Sequence, residues 1–180
     1  MASELQIARA SGHSLLGFAA VAQAEGRLPE ARHLVAEATS ISEDLRDRRY
    51  LGLESYMRGL IARDEGELDG ATGGFRQALY YAVKGDDHLL VIRALEGLAR
   101  LDSEHGHLVR AATLVAAAAS RREALPWPVA PVDEKWHETL VSTLRCGLDR
   151  TSFDRAWGHG WAMATEEVVR VAGGQSSASR

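Results

Sequence analysis

The sequence has one cysteine, Cys146, in 180 residues. A lone thiol excludes an intramolecular disulfide framework and any all-cysteine metal site. Aromatic residues make up only 6% of the chain, so any core must be filled mainly by the alanine, leucine and valine within its 46% apolar fraction. Lysine occurs only at Lys84 and Lys135, and every other basic residue is arginine. There is no positive excess: 21 basic residues stand against 25 acidic ones, for a net charge of −4. That balance speaks against a dedicated nucleic-acid binder. The longest apolar run, Leu114–Ala119, is too short to span a bilayer. Met1-Ala-Ser-Glu-Leu-Gln lacks the basic and apolar regions of a signal peptide. No Gly-Lys-Ser/Thr phosphate loop occurs, and no helix-turn-helix of a DNA reader is recognizable. These absences lead to the expectation of a soluble, cytoplasmic protein without membrane or direct nucleic-acid partners.

What the chain does have is an internal repeat, the signature of array architectures. Gly26, Gly66 and Gly106 are spaced by 40 residues. Leu28, Leu68 and Leu108 follow at equivalent places. So do Ala31, Ala71 and Ala111, then Val35, Phe75 and Val115, then Ala38, Ala78 and Ala118. The pattern predicts helical hairpins. Glycine ends a first helix because it tolerates positive φ at the cap. The leucine, alanine and Val/Phe positions then mark the buried stripe of a second helix, with alanine where two helices approach closely. Pro29 suits a first helical turn, and Asp47 and Asp87 suit N-caps. The spacing predicts first helices near 5–25, 48–65 and 87–105, and second helices near 29–44, 68–84 and 108–124. Gly70, Gly73 and Gly74 fall inside a predicted helix, where each costs up to about 1 kcal/mol relative to alanine. They either permit close packing or weaken that helix.

Beyond Leu125 the texture changes. Three of the four prolines lie in Leu125-Pro-Trp-Pro-Val-Ala-Pro131, which reads as an extended connector over 126–132. A helix from Asp133 to Leu148 follows, then one capped by Thr151 or Ser152, then a short one at Thr165-Glu-Glu. All four tryptophans, at 127, 136, 157 and 161, fall here, as expected of a cap closing the end of an open repeat core. Cys146 is expected to be buried. The organisation expected is three hairpins over 1–125, the connector 126–132, a helical cap over 133–172 and a disordered tail over 173–180.

The Gly-x-Leu-x-x-Ala-x-x-x-Val/Phe-x-x-Ala segments resemble the turn and second helix of the tetratricopeptide repeat. Gly59, with Ala19 and Ala99 in equivalent places, matches the small residue of its first helix. The period exceeds that family's usual 34, the closing proline and first-helix aromatics are missing, and Asp102 stands where an apolar residue is usual. In this the chain is similar to the helical-repeat regions of bacterial signal-transduction ATPases and LuxR-type transcriptional regulators. Ala94-Leu-Glu-Gly-Leu-Ala99, His105-Gly106, Arg110-Ala-Ala112 and Ala116–Leu125 carry that likeness, as does Phe153-x-x-Ala156-x-x-x-Gly160 before Thr165. The resemblance implies an all-α, right-handed helical-hairpin solenoid of about three 40-residue repeats plus a cap. It also implies a non-catalytic regulatory module that binds a protein or peptide, or alternatively senses a small-molecule inducer, and whose motor or DNA-binding parts lie elsewhere or are lacking.

Patterns suggesting chemistry are weak. Gly12-His-Ser14-Leu-Leu16 lacks the last glycine of a nucleophile elbow and sits in helix, so Ser14 reads as a helix-surface serine. His105-Gly-His107 and His159-Gly-Trp161 have no further ligands at metal spacing. Gly70-Ala-Thr-Gly-Gly lacks the phosphate-loop lysine, and Asp64-Glu-Gly-Glu lacks the alternation of a calcium loop. No catalytic residue, metal ligand or cofactor is expected. A surface is the better candidate. Tetratricopeptide-like stacking would place His13, Leu16, Ala20 and Gln23 on the concave face of copy one. Leu53, Tyr56, Leu60 and Arg63 follow in copy two, and Arg93, Glu96, Arg100 and Ser103 in copy three. The binding candidates are Tyr56, Leu60, Arg63, Arg93, Glu96 and Arg100, grading from apolar to cationic. Such a face suits a peptide with an apolar stretch and an acidic end. Glu96 and Arg100 are also placed for an i,i+4 pair.

Overall fold

The computed structural model of the chain describes residues 2–45, 47–125 and 131–174. Every regular element among the described residues is an α-helix. The chain divides into two compact units, Met1–Asp87 and His88–Arg180. The first contains α1 (Ala2–Ala24), α2 (Leu28–Leu45), α3 (Arg48–Asp64) and α4 (Leu68–Lys84). The second contains α5 (His88–Glu104), α6 (Leu108–Glu123), α7 (Pro131–Gly147), α8 (Arg150–Ala162) and α9 (Thr165–Ala172). These bounds fall within a few residues of those the spacing predicts.

The three turn glycines have φ of 75°, 78° and 79° at Gly26, Gly66 and Gly106. Each is closed by the same two bonds. The Gly26 N–H donates to the Gln23 carbonyl (3.0 Å) and the Arg27 N–H to that of Ala22 (2.8 Å). Gly66 and Glu67 repeat this on Arg63 and Ala62, and Gly106 and His107 on Ser103 and Asp102. This is the glycine cap that satisfies the last carbonyls of a helix. The helices before and after each turn, α1 with α2, α3 with α4 and α5 with α6, pack against each other.

The alanine and Val/Phe stripe is the core. Ala31, Val35, Ala38, Ala71, Phe75, Ala78, Ala111, Val115 and Ala118 are all buried, as are Ala19, Gly59 and Ala99 opposite. The leucines of the repeat are not part of it. Leu28 and Leu108 are half-buried and Leu68 is exposed, because the first residue of each second helix lies at the hairpin's end. Helix α3 approaches α4 most closely where glycine faces glycine: a Cβ on Gly74 would stand 2.6 Å from the Gly59 Cα. Gly73, one residue earlier, faces open space. Two of the three helical glycines thus separate in role, one permitting the approach and one only loosening the helix.

Caps follow the sequence in part. The Asp47 carboxylate accepts from the Arg49 N–H at 3.1 Å, as an N-cap should. Helix α8 is capped by Asp149, which accepts from the Ser152 N–H at 3.0 Å, and not by Thr151 or Ser152. Hydrogen bonds from Ser152, the side chain's first and then the backbone N–H's, hold the Asp149 pKa below its ordinary value. The expected connector, 126–132, lies outside the described residues at 126–130. Its last two residues instead begin α7, since proline is tolerated at a first helical position. The expected tail lies outside the described residues from 175 on.

The tryptophans among the described residues do not close the core. Trp136 and Trp161 are exposed and Trp157 is half-buried, while Trp127 lies outside the described residues. Leu144, Phe153, Ala156, Met163, Val168 and Ala172 are buried instead. Helix α8 lies so close to the alanine-rich α6 that a Cβ on Gly160 would come within 2.0 Å of the Thr113 carbonyl oxygen. An indole has no room in such a contact. Cys146 is exposed: Leu144 takes the inward position, and two residues on the helix has turned about 200° away.

One buried charge belongs to the third hairpin. Asp102 is 6% exposed. It accepts from Arg110 Nε at 2.7 Å and lies 3.7 Å from His107 Nδ1. Burial nevertheless outweighs these cations and holds its pKa above the ordinary 3.8.

Two predictions arise here. Gly73→Ala should raise stability by up to about 1 kcal/mol, whereas Gly74→Ala should lower it by about 1–3 kcal/mol through overpacking. Urea denaturation followed by circular dichroism measures both, and equal effects would contradict the close glycine contact. Asp102 favours its neutral form on folding, so its contribution is complete below the unfolded value near 3.8 and is lost as pH rises through the folded value. The stability of the native chain relative to Asp102→Asn should therefore fall as pH rises above about 4. A difference that grows with pH would refute it.

Candidate functional site

In the first unit the expected binding face is largely occupied by packing. Leu16 is 2% exposed and belongs to the core, so it cannot present itself to a partner. Leu53 and Leu60 are half-buried against the same core, as is Ala20. Tyr56 is half-buried with its ring tilted on Phe75, centroids 5.6 Å apart. His13 stands edge-on to Tyr50 at 5.3 Å. Tyr50 itself is fully buried, donates to the Ala38 carbonyl at 3.1 Å, and is pushed up to about 12, first by burial. Arg63 gives both Nε and Nη2 to the Asp64 carboxylate, at 2.8 and 2.6 Å. Gln23 donates to the other oxygen of Asp64 at 2.5 Å. Two candidates from successive first helices, Gln23 and Arg63, thus converge on one carboxylate.

The same unit contains an open cleft of about 450 Å³ between α2, α3 and α4. Val35, Ala36, Ile61 and Ala62 give it apolar walls, and Arg32, Thr39, Arg58, Glu65 and Glu67 bring polar groups to it. Beside it Glu54 is almost wholly buried. It accepts from Thr39 Oγ1 at 2.7 Å and is ion-paired with Arg58, which also donates to Thr39 Oγ1 at 2.9 Å. Arg32 is paired with Glu65, which raises its already high pKa. The spacing of Glu54 and Arg58 advertises an i,i+4 pair, but nothing local shows that Thr39 joins it. The reading from first helices alone overlooked this cleft, because it is walled by the second helix α2.

In the second unit the cationic candidates are engaged differently from the expectation. Arg93 is half-buried. Glu96 does not pair with Arg100. Its Oε1 accepts from Arg122 Nη2 at 2.6 Å and from His137 Nδ1 at 2.8 Å, and all three side chains are about 14–15% exposed. Arg100 donates from Nε to Glu104 Oε1 at 2.8 Å, one turn further along α5. Its guanidinium carbon lies 4.5 Å from the centroid of the Trp136 ring, a cation–π distance. Arg100 Nη1, Arg122 Nε and Arg122 Nη1 are buried without a hydrogen-bond partner. Arg122, Trp136 and His137 come from α6 and α7. They were invisible to reasoning confined to first helices, since only tertiary packing brings them to α5.

Other sequence candidates have structural partners. Ser14 Oγ donates to the Ala10 carbonyl at 2.9 Å, within its helix. His105 Nδ1 donates to the Leu101 carbonyl at 2.7 Å. Among the described residues no three His, Cys, Asp or Glu side chains are grouped to hold a metal ion, and no helix is long and apolar enough to cross a membrane. Comparisons with protein-family models, curated proteins and solved structures find no match to this chain.

Proposed function

We propose that the chain is a non-catalytic, tetratricopeptide-like solenoid module that binds a protein or peptide partner in bacterial transcriptional or signalling regulation. The observation that carries this reading is the threefold recurrence of one turn: the same left-handed glycine, the same pair of capping bonds and the same alanine stripe behind it. Repeat arrays spend their small residues on stacking and leave extended faces for partners. Arg93 and Arg100 offer cationic contacts in the second unit. Tyr56, Leu60 and Arg63 are half-buried and contribute narrower contacts in the first. The partner that suits them has apolar and acidic residues.

A second reading, small-molecule sensing, is favoured by the cleft beside Glu54. Its volume of about 450 Å³ falls in the usual range for ligand pockets, and its apolar walls with few polar groups are typical of them.

Peptides selected on the full chain from a random display library should be enriched in apolar and acidic residues. Reversing Arg93 and Arg100 to glutamate should weaken their binding at least about tenfold, or roughly 1.4 kcal/mol, by calorimetry. An unchanged affinity would remove the arginine face, and a library without binders would remove the module reading. Sensing is tested by a thermal-shift screen of metabolites, where a ligand at 100 times its Kd adds about 2.7 kcal/mol. Ala36→Trp, filling the cleft from α2, should abolish any such shift. A shift that survives it does not come from this cleft.

A further inference from the structure

Arginine donors without acceptors are rare inside proteins, because a buried N–H that bonds nothing loses its hydration without compensation. The second unit gathers three such nitrogens on two side chains, Arg100 and Arg122. Both arginines already hold one carboxylate each, Glu104 and Glu96. A guanidinium has five donors in a planar fork, so each retains capacity after that bond. The exposed Trp136 ring lies over Arg100, and the next residue, His137, is bonded to the Glu96 oxygen that also takes Arg122.

We propose that Arg100 and Arg122 form a receptor for a carboxylate on an apolar or aromatic ligand, with the Trp136 ring as its movable cover. This rests on the reading of the chain as a binding module and names the chemistry of what it binds. The charge count selects the anion. Two guanidiniums face Glu96 and Glu104, so the cluster is neutral when His137 is neutral. A monoanion adds one negative charge that the spare donors absorb, whereas a phosphate dianion beside two carboxylates is repelled. The cover selects the ligand's body. The half-exposed indole lies at cation–π distance from the Arg100 guanidinium, and a ligand that moves it aside gains its face as a stacking surface. The carboxylate can come from a free acid or from an acidic peptide residue.

The experiment titrates the full chain by calorimetry and indole fluorescence with benzoate, with acetyl-Leu-Leu-Glu-amide, with its glutamine counterpart and with inorganic phosphate. Benzoate or the glutamate peptide should saturate, and the tighter of the two identifies the source. The glutamine peptide should bind at least about tenfold more weakly than the glutamate peptide. Arg122→Gln and Arg100→Gln, each checked for native helical content, should each weaken binding at least about tenfold. Trp136→Phe should remove most of the fluorescence response while binding heat persists. Absence of saturable heat from either carboxylate on the native chain overturns the proposal, and that outcome needs no variant to fold. Phosphate binding as tightly as benzoate overturns the choice of anion. Selected peptides that lose affinity on Arg93→Glu but ignore Arg122→Gln would sink this site and leave the module reading standing. Benzoate that saturates while the library yields no peptide would do the reverse.

Discussion

Everything in the hairpins depends on how closely two helices approach. At the Gly59–Gly74 contact there is no room for even one added methyl group. At the equivalent places of the other hairpins alanine suffices, with Ala19 and Ala99 fully buried. Helices this close gain dispersion contacts along their backbones, which aromatic side chains would prevent by holding the axes apart. The scarcity of aromatics is thus a condition of the packing. Tyr50 and Phe75 are fully buried large rings, and Phe75 lies directly against Gly59. The missing Cβ on one helix makes space for the ring on the next.

That constraint explains why the hairpins were legible in the sequence. A small residue recurring every 40 positions, with a left-handed glycine ahead of it, leaves a periodic trace that needs no knowledge of tertiary contacts. The trace fails where the turn is made by another residue. Two residues past the end of helix α4, Asp86 has φ 54°, and the Asp87 N–H donates to the Ala82 carbonyl at 2.9 Å. This is the glycine cap carried by an aspartate, one of the few residues that tolerates the conformation, and the sequence singles out only Asp87 there. The aromatic cap was misread for a different reason. Tryptophan content suggests filling, but α8 buries Phe153, Ala156 and Gly160, the last against Thr113 and Ala116 of α6, and leaves Trp157 half-buried and Trp161 exposed. Phe153, Trp157 and Trp161 stack in succession along one side of α8.

The polar side of the structure was nearly illegible. Glu54, Glu96 and Asp102 are buried or nearly so, and each is held by an arginine. For Glu54 the arginine is one turn along the same helix. For Asp102 it lies across the hairpin turn, and for Glu96 it lies on α6 with a histidine from α7. Sequence spacing reveals only the first kind. Helical periodicity marked Glu96 and Arg100 as neighbours, which they are. It could not show that Glu96 has partners on α6 and α7, where a short, shielded bond between helices outcompetes a solvent-exposed pair worth about 0.3–0.5 kcal/mol, while Arg100 pairs one turn further along α5 with Glu104.

Buried ion pairs of this kind are weak sources of net stability, since desolvation offsets most of their attraction. The raised pKa of Asp102, bonded to Arg110 and still dominated by burial, is a direct instance. Their stronger effect is on which arrangement the helices adopt, because breaking one partner strands the other in a poor solvent. Alanine-lined helices make this important. Ala116, Ala117, Ala118 and Ala119 are nearly interchangeable in shape, so α6 alone gives its neighbours little reason to prefer one register. Arg122, reaching from the end of that run to Glu96, adds a directional contact between α5 and α6 that the alanines lack. Lysine in its place would offer a compact ammonium with three donors but no planar fork to hold a carboxylate in one fixed geometry. The near-absence of lysine therefore has a local consequence: where α5, α6 and α7 meet, the cations hold a carboxylate with only part of a planar fork.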